Sequence, residues 1–345
     1  MALLRIVERA PGEKGNPLVY GAIGLVVGII LSLGLAALTP AGVEGAAKAF
    51  WSVVSKPGFY RLALPYFVAI SLSGLGLTVA YRARFITIGA EGQLILGMIA
   101  SFWASYYLCA GLPASLTLLC SAVAAAAVGA AYSLVVGVLR VQLQVNETLS
   151  SLMLNYIAIS LLNYLVSGPW SVGGFTKTAS LPPEYTLSPE VAAAAALAAI
   201  VVVEAVYRYT RLGVAVDSTG LARLAAVTYG VDFKRTILLV SLISGALAGL
   251  GGMLYLVSGV QRLFSTSQGV CYGYIGILAA WLAGLRPLAV AASSMLLALL
   301  YVMNTGLQLS GVLVSFVQAM QAVIVITVTV FTALSRYRIV VVRRG

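Results

Sequence analysis

Long apolar runs, broken by glycine, proline and single basic residues, recur along almost the whole chain. A hydrocarbon core about 30 Å thick takes roughly 20 helical residues to cross. Runs of that order fall near residues 18–38, 62–81, 91–110, 114–139, 149–167, 190–207, 236–258, 270–285, 287–305 and 314–334. The pattern predicts an all-α, polytopic integral membrane protein of about ten transmembrane helices. The run at 270–285 is short for an ordinary crossing and contains Gly273, Gly276 and Gly284. It reads as discontinuous, tilted or partly re-entrant.

No soluble domain fits between the runs, so residues 1–345 form one permeation domain with its membrane bundle at 18–334. Two connections are long. The segment 168–189 contains Pro169, Pro182, Pro183 and Pro189 with Gly173-Gly174, a rigid and irregular loop suited to capping or to docking a partner. The segment 208–235 offers Asp217 and Ser218 as N-caps, apolar positions at helical spacing and Gly230 as a stop. That predicts an amphipathic helix at about 218–229, either lying on lipid headgroups or inserted into a cytoplasmic partner.

Composition agrees with the pattern: 61% of residues are hydrophobic and 9% charged. The net charge of +11 does not indicate nucleic acid, because the basic residues stand singly beside apolar runs. With both termini in the cytoplasm, 16 of the 21 Lys and Arg fall on the inner side, the bias expected of a membrane protein. There is no histidine, which removes the usual general base and the commonest metal ligand. Cys109, Cys120 and Cys271 lie in or beside apolar runs without CxxC spacing and read as buried thiols.

Polar side chains within the runs are the candidate chemistry, since a charge at the bilayer centre costs about 2.5–3.5 kcal/mol on insertion scales. Thr148, Ser151 and Asn155 share one helical stripe, and Asn163 lies about 80° further round. Gln318 and Gln321, with Ser315, share a face of the last run. Uncharged amides suit a path for a polar neutral solute; the alternative is hydrogen bonding between helices. The path candidates are Ser151, Asn155, Asn163, Gln318 and Gln321. Glu91, Asn146 and Glu147 begin runs three and five, as helix caps or parts of an inner gate. Ser241, Gly245 and Gly249, and likewise Ala122, Ala126 and Ala130, form small-residue faces for close helix packing.

Three blocks carry a resemblance. Phe85-Ile86-Thr87-Ile88-Gly89-Ala90-Glu91-Gly92-Gln93 is similar to the N-I-G-x-E-G-Q stretch of ABC importer permeases for nucleosides, simple sugars and branched-chain amino acids. Asn146-Glu147-Thr148-Leu149 through Met153-Leu154-Asn155-Tyr156 resembles the N-E-x-I-x-T-x-M-L-N-Y segment of the nucleoside-type branch. Gly273-Tyr274-Ile275-Gly276-Ile277 resembles that branch's G-Y-G-F-x-G-I block. The resemblance spans about residues 60–334.

It implies the permease subunit of an energy-coupled importer in a prokaryotic plasma membrane. Its partners would be two cytoplasmic ABC ATPases, a second permease, related or identical, and an extracytoplasmic solute-binding lipoprotein. ATP and Mg would be held by the ATPases, with no cofactor on this chain, which has no Walker A sequence and no enzymatic activity of its own. The segment 208–235 then falls where the family carries its ATPase-contacting helix. Gly220, Ala225, Ala226 and Gly230 match, while Asp217 stands where arginine is common and Ala222-Arg223 where Asn-Pro is usual. Asp217, Gly220, Arg223, Ala225, Ala226 and Gly230 are the coupling candidates. A sugar or branched-chain amino acid is the alternative cargo, and a secondary transporter the rival of another class.

Overall fold

The computed structural model describes residues 2–8, 17–36, 44, 48, 51, 55, 58–221, 230–266, 270–309, 314–334 and 337–343. Every apolar run forms helix: α1 (Pro17–Ala36), α2 (Phe59–Arg82), α3 (Ala90–Trp103), α4 (Ala114–Gln142), α5 (Glu147–Ser167) and α6 (Pro189–Tyr209). After a short helix α7 (Arg211–Leu221) come α8 (Phe233–Tyr255), α9 (Tyr272–Leu282), α10 (Pro287–Leu309) and α11 (Val314–Leu334). Among the described residues, α2, α4, α5, α6 and α8 with its extension are long and apolar enough to cross a membrane by length and composition.

The chain divides into two compact units, one of residues 1–59 with 300–345 and the other of 60–299. In the first, α1 packs on α11 through Gly24 and Gly28. A Cβ on Gly28 would lie 3.0 Å from the Cα of Ile324, so these glycines let the two backbones meet. The same unit holds two strands, β1 (Ala2–Glu8) and β2 (Tyr337–Arg343), paired antiparallel from Ala2↔Arg343 to Glu8↔Tyr337. The sequence reading expected helices throughout and placed these ends as basic flanks. The ladder is long-range, and a seven-residue strand has no local signal of its partner. It ties both termini to one side.

The second unit is built around α3, which is buried from Ala90 to Phe102. A helix apolar on all sides belongs inside a bundle, and α3 is packed by α4, α5, α8 and α9. Small residues make this possible. A Cβ on Gly249 would run into the Ala125 carbonyl, one on Gly129 into the Gly245 carbonyl, and one on Gly97 into Gly249. The expected face Ser241, Gly245, Gly249 is thus used.

The expected partner face on α4 is corrected. Ser121, Ala125, Gly129, Ser133 and Gly137 are buried, one position round from Ala122, Ala126 and Ala130. Both stripes are small, and the glycines at 129 and 137 decide between them by letting α8 come closer.

Cys109 and Cys120 form a disulfide, correcting their reading as thiols. Residues 104–108 extend α3 as a π-turn, and the short link to α4 brings the two sulfurs together. Pairing across two helices is invisible in a spacing of eleven residues. A disulfide persists in an oxidising compartment, which agrees with the outer placement that the charge distribution gives this link.

Candidate functional site

α4 ends at Gln142, and Gln144 takes a left-handed conformation (φ 53°) that turns the chain toward α5. Asn146 caps α5 as expected: its side-chain oxygen accepts from the N–H of Thr148 (2.9 Å) and of Leu149 (3.1 Å). Glu147 accepts from Arg140 at 3.2 Å and from the Ile86 N–H at 3.4 Å.

The α5 stripe is fully occupied by protein. The Thr148 hydroxyl donates to the Ile86 carbonyl (2.6 Å), and the Ser151 hydroxyl accepts from the Ile88 N–H (3.0 Å). The Asn155 amide donates to the Ile88 carbonyl (3.0 Å) and accepts from the Gly92 N–H (2.9 Å). One helix face therefore zips along the non-helical segment 86–88 and satisfies an orphan donor in the first turn of α3. Ser151 and Asn155 are fully buried. Glycine at 92 is required here, because a Cβ would lie 2.8 Å from the Asn155 oxygen. The structure gives these two residues clamping partners. Gln318 and Gln321 lie on α11, outside the residues whose side chains are described.

Glu91 is not a cap of its own helix. Its buried carboxylate accepts from the N–H groups of Cys271 (2.7 Å) and Gly273 (2.8 Å), at the N-terminus of α9. A carboxylate at that position meets the positive end of the helix dipole. Gly273 packs directly on the Ala90–Glu91 backbone, where a Cβ has no room.

The depth at which α9 starts follows from α5. Asn163, near the end of that helix, holds the Thr266 backbone from both sides: its oxygen accepts from the N–H at 2.9 Å and its amide donates to the carbonyl at 2.8 Å. Asn155, in the middle of α5, donates to the Tyr274 hydroxyl at 3.2 Å. Thr266 thus sits by the end of α5 and Tyr274 by its middle, and α9 runs for 11 residues, about 16 Å. The short run expected at 270–285 is a half-helix, and the described residues 262–266 before it are not helical. Irregular backbone at membrane depth persists where protein covers it, and here loop 168–189 does so. Thr178 and Leu263 exchange hydrogen bonds (Thr178 N–H to Leu263 carbonyl 3.0 Å, Leu263 N–H to Thr178 hydroxyl 3.0 Å), and the Ser265 N–H reaches the Thr176 carbonyl.

At the opposite end lies the 208–235 segment. Its described helix is α7, from Arg211 to Leu221, so Asp217 and Ser218 are interior to a helix rather than capping one; residues 222–229 of the expected helix lie outside the described residues. The helix starts where the Thr210 hydroxyl accepts from the Leu212 N–H at 3.3 Å. Val216 is buried in the core with Leu212 packed against it, while Val214 (69% exposed) and Arg211 face outward. Asp217 takes both Nε (2.7 Å) and Nη2 (2.5 Å) of Arg82 in a bidentate pair, and Arg82 lies over the Tyr207 ring at 4.5 Å. Gly220 abuts the Arg82 carbonyl with no room for a side chain. Asp217 and Gly220 therefore fasten α7 to the end of α2. Gly230 has a positive φ of 78° and is exposed. Arg223, Ala225 and Ala226 lie outside the described residues. Arg82 and Tyr207 were missed by reading the sequence, although an acid in a basic loop calls for a basic partner.

The family described as the permease component of branched-chain amino acid transport systems matches residues 62–333. The chain belongs to this permease family. It is an ABC transporter permease and a multi-pass membrane protein. The permease is 30% identical over 353 residues to a glucose ABC transporter permease protein of Haloferax volcanii, covering 95% of this chain and 92% of that one. A nucleoside ABC transporter permease protein of Lactococcus lactis is 25% identical, over 91% of this chain and 90% of its own length. A guanosine ABC transporter permease protein of Bacillus subtilis is 27% identical, over 81% and 82%.

Proposed function

We propose that this permease is the membrane subunit of an ATP-driven importer that carries a neutral polar solute, most simply a nucleoside, inward across a prokaryotic plasma membrane. It works with two cytoplasmic ABC ATPases that bind ATP and Mg, a second permease subunit and an extracytoplasmic binding lipoprotein. The observation that carries the reading is α7. Its inner face is locked to α2 by Arg82–Asp217 and by the Gly220 contact, and its outer face presents Arg211 and Val214. A helix fixed to the bundle on one side and exposed on the other can pass a push from a partner to α2.

The partner must contact α7 differently in two nucleotide states, since a ligand that binds two conformations equally shifts neither. The moving part on the solute side would be α9 with residues 262–266 before it, held by Glu91, Asn155 and Asn163. In the state described here Ser151, Asn155 and Asn163 are engaged within the chain. Opening a path along α5 requires these clamps to exchange partners.

Nucleoside is favoured by the Met153-Leu154-Asn155-Tyr156 element and by the nucleoside and guanosine permeases among the relatives. Glucose is the second reading, favoured by the 30% identical relative. Uptake of labelled guanosine, uridine, glucose and leucine by cells expressing the whole assembly tests both. Guanosine or uridine uptake that requires a functional ATPase is expected. Uptake of glucose alone would select the sugar reading, and uptake that persists with a catalytically dead ATPase would overturn the energy-coupled one.

A further inference from the structure

Beyond the half-helix, at the end of α8 opposite α7, the chain keeps an open cavity of about 390 Å³. Its walls are the start of α2 (Arg61, Leu62, Pro65, Tyr66), the approach to α6 (Leu187, Pro189) and the end of α8 with its extension (Tyr255 and residues 258–261). Three local features build it. Residues 256–260 form a π-turn closed by the Gln261 N–H on the Leu256 carbonyl (2.8 Å), a distortion that recurs at functional sites. The Val257 carbonyl accepts from the Leu187 N–H (3.0 Å), which pins the outer loop as the far wall. Gln261 sits in the left-handed region (φ 57°), uncommon for a residue with a side chain. Its carbonyl accepts from the Leu181 N–H (2.8 Å), so its backbone is fixed from both sides.

The chemistry of the walls is specific. Tyr66, Tyr255 and Tyr272 form a cluster with ring centroids 4.9 to 5.9 Å apart, and the hydroxyls of Tyr255 and Tyr272 are 3.1 Å apart. Tyr66 and Tyr255 line the cavity; Tyr272 is the first residue of α9, beside the Glu91 clamp. The Gln261 side-chain amide makes no hydrogen bond among the described residues. Arg61 is neutralised by Glu190 at 2.7 Å, so the rim offers no net charge to an anion such as a lipid phosphate. An aromatic wall, a free amide and no net charge, in a volume of the size that small ligands occupy, select one class of ligand.

We propose that this cavity is a binding subsite for a neutral solute with a flat ring face and a hydrogen-bonding edge, stacked on Tyr66 and held by the Gln261 amide. A nucleoside and a hexose share that chemistry. The subsite rests on the importer reading for its purpose, namely receiving solute from the delivery protein, but not for its existence. Occupancy presses on the tyrosines that abut α9, which couples solute arrival to the half-helix.

The purified full chain in detergent is titrated with labelled guanosine, uridine, glucose and leucine, and uptake is measured in cells with the whole assembly. Saturable binding of guanosine and uridine, or of glucose, is expected, with none for leucine. Leu62→Trp, at an exposed position on the wall, and Gln261→Ala each weaken binding at least tenfold and raise the KM for uptake with little change in maximal rate. Tyr66→Phe binds normally and Tyr66→Leu does not. Absence of any ring-solute binding to the wild type, or unchanged binding and KM in both Leu62→Trp and Gln261→Ala, overturns the subsite; normal uptake in the latter case leaves the importer standing. Binding with no uptake by the wild-type assembly overturns the importer reading and keeps the subsite.

Discussion

The carboxylate of Glu91 holds the backbone of Gly273 at 2.8 Å, joining the first turn of α3 to the first turn of α9 across 182 residues of sequence. Neither residue can be replaced freely: the glycine has no space for a Cβ, and the carboxylate satisfies one buried and one partly buried donor. Each buried donor left unsatisfied costs about 1–3 kcal/mol.

Glu91→Ala therefore lowers the apparent Tm of the purified permease by at least about 5 °C and abolishes uptake. Glu91→Gln, which keeps one acceptor oxygen, falls between it and the wild type. A thermal unfolding series in detergent checks this; equal Tm values for all three proteins would remove the clamp.

The Arg82–Asp217 pair is only partly exposed, with side chains at 27% and 40%, so its coupling energy should be about 1 kcal/mol. Arg82→Asp and Asp217→Arg singly reduce uptake several-fold, and the double exchange restores most of it. A double-mutant cycle on uptake rates reads the coupling. Additive losses would show that the two residues act independently.

Substitutions on the two faces of α7 separate packing from partner contact. Gly220→Val drives a side chain into the Arg82 carbonyl and lowers the yield of folded permease. Val214→Asp, on the exposed face, leaves yield and Tm unchanged but reduces uptake at unchanged ATPase abundance. Size-exclusion profiles alongside uptake distinguish the two.

Gly249 faces backbone of both α3 and α4. Gly249→Leu forces the helices apart at a cost of about 3 kcal/mol or more, and the chain fails to accumulate as a monodisperse species. Gly34, with open space around its Cβ position, accepts alanine without loss and serves as the control.

The disulfide tests sidedness. In intact cells, Cys109 and Cys120 resist a membrane-impermeant maleimide until an impermeant reductant is added, and then both label. Labelling before reduction would contradict the disulfide, and labelling only after the membrane is opened would contradict the assigned orientation.

Among the described residues, the positions of the apolar helices were legible in the sequence, because length and apolarity are local properties that the bilayer selects directly. Asn146 as a cap, the Ser241–Gly249 packing face and the irregular run at 270–285 were legible for the same reason: each rests on neighbours within a few turns. Where two local signals competed, the tertiary fold chose. Alanines at 122, 126 and 130 lost to the stripe of Ala125 and Gly129 because a glycine permits backbone contact. Asp217 looked like a cap until Arg82, 135 residues away, claimed its carboxylate inside a helix that starts earlier.

By itself, then, the sequence determined the placement of the described apolar helices and the family. Only the tertiary structure decided what each polar group serves: that Asn155 ties down segment 86–92, that Glu91 seats a half-helix, that Cys109 meets Cys120, and that the two chain ends form a ladder. The reason is physical. Burying apolar surface is non-directional and can be read from composition, whereas a hydrogen bond, an ion pair or a disulfide needs a second atom within a few ångströms, and the chain's path alone brings that atom there.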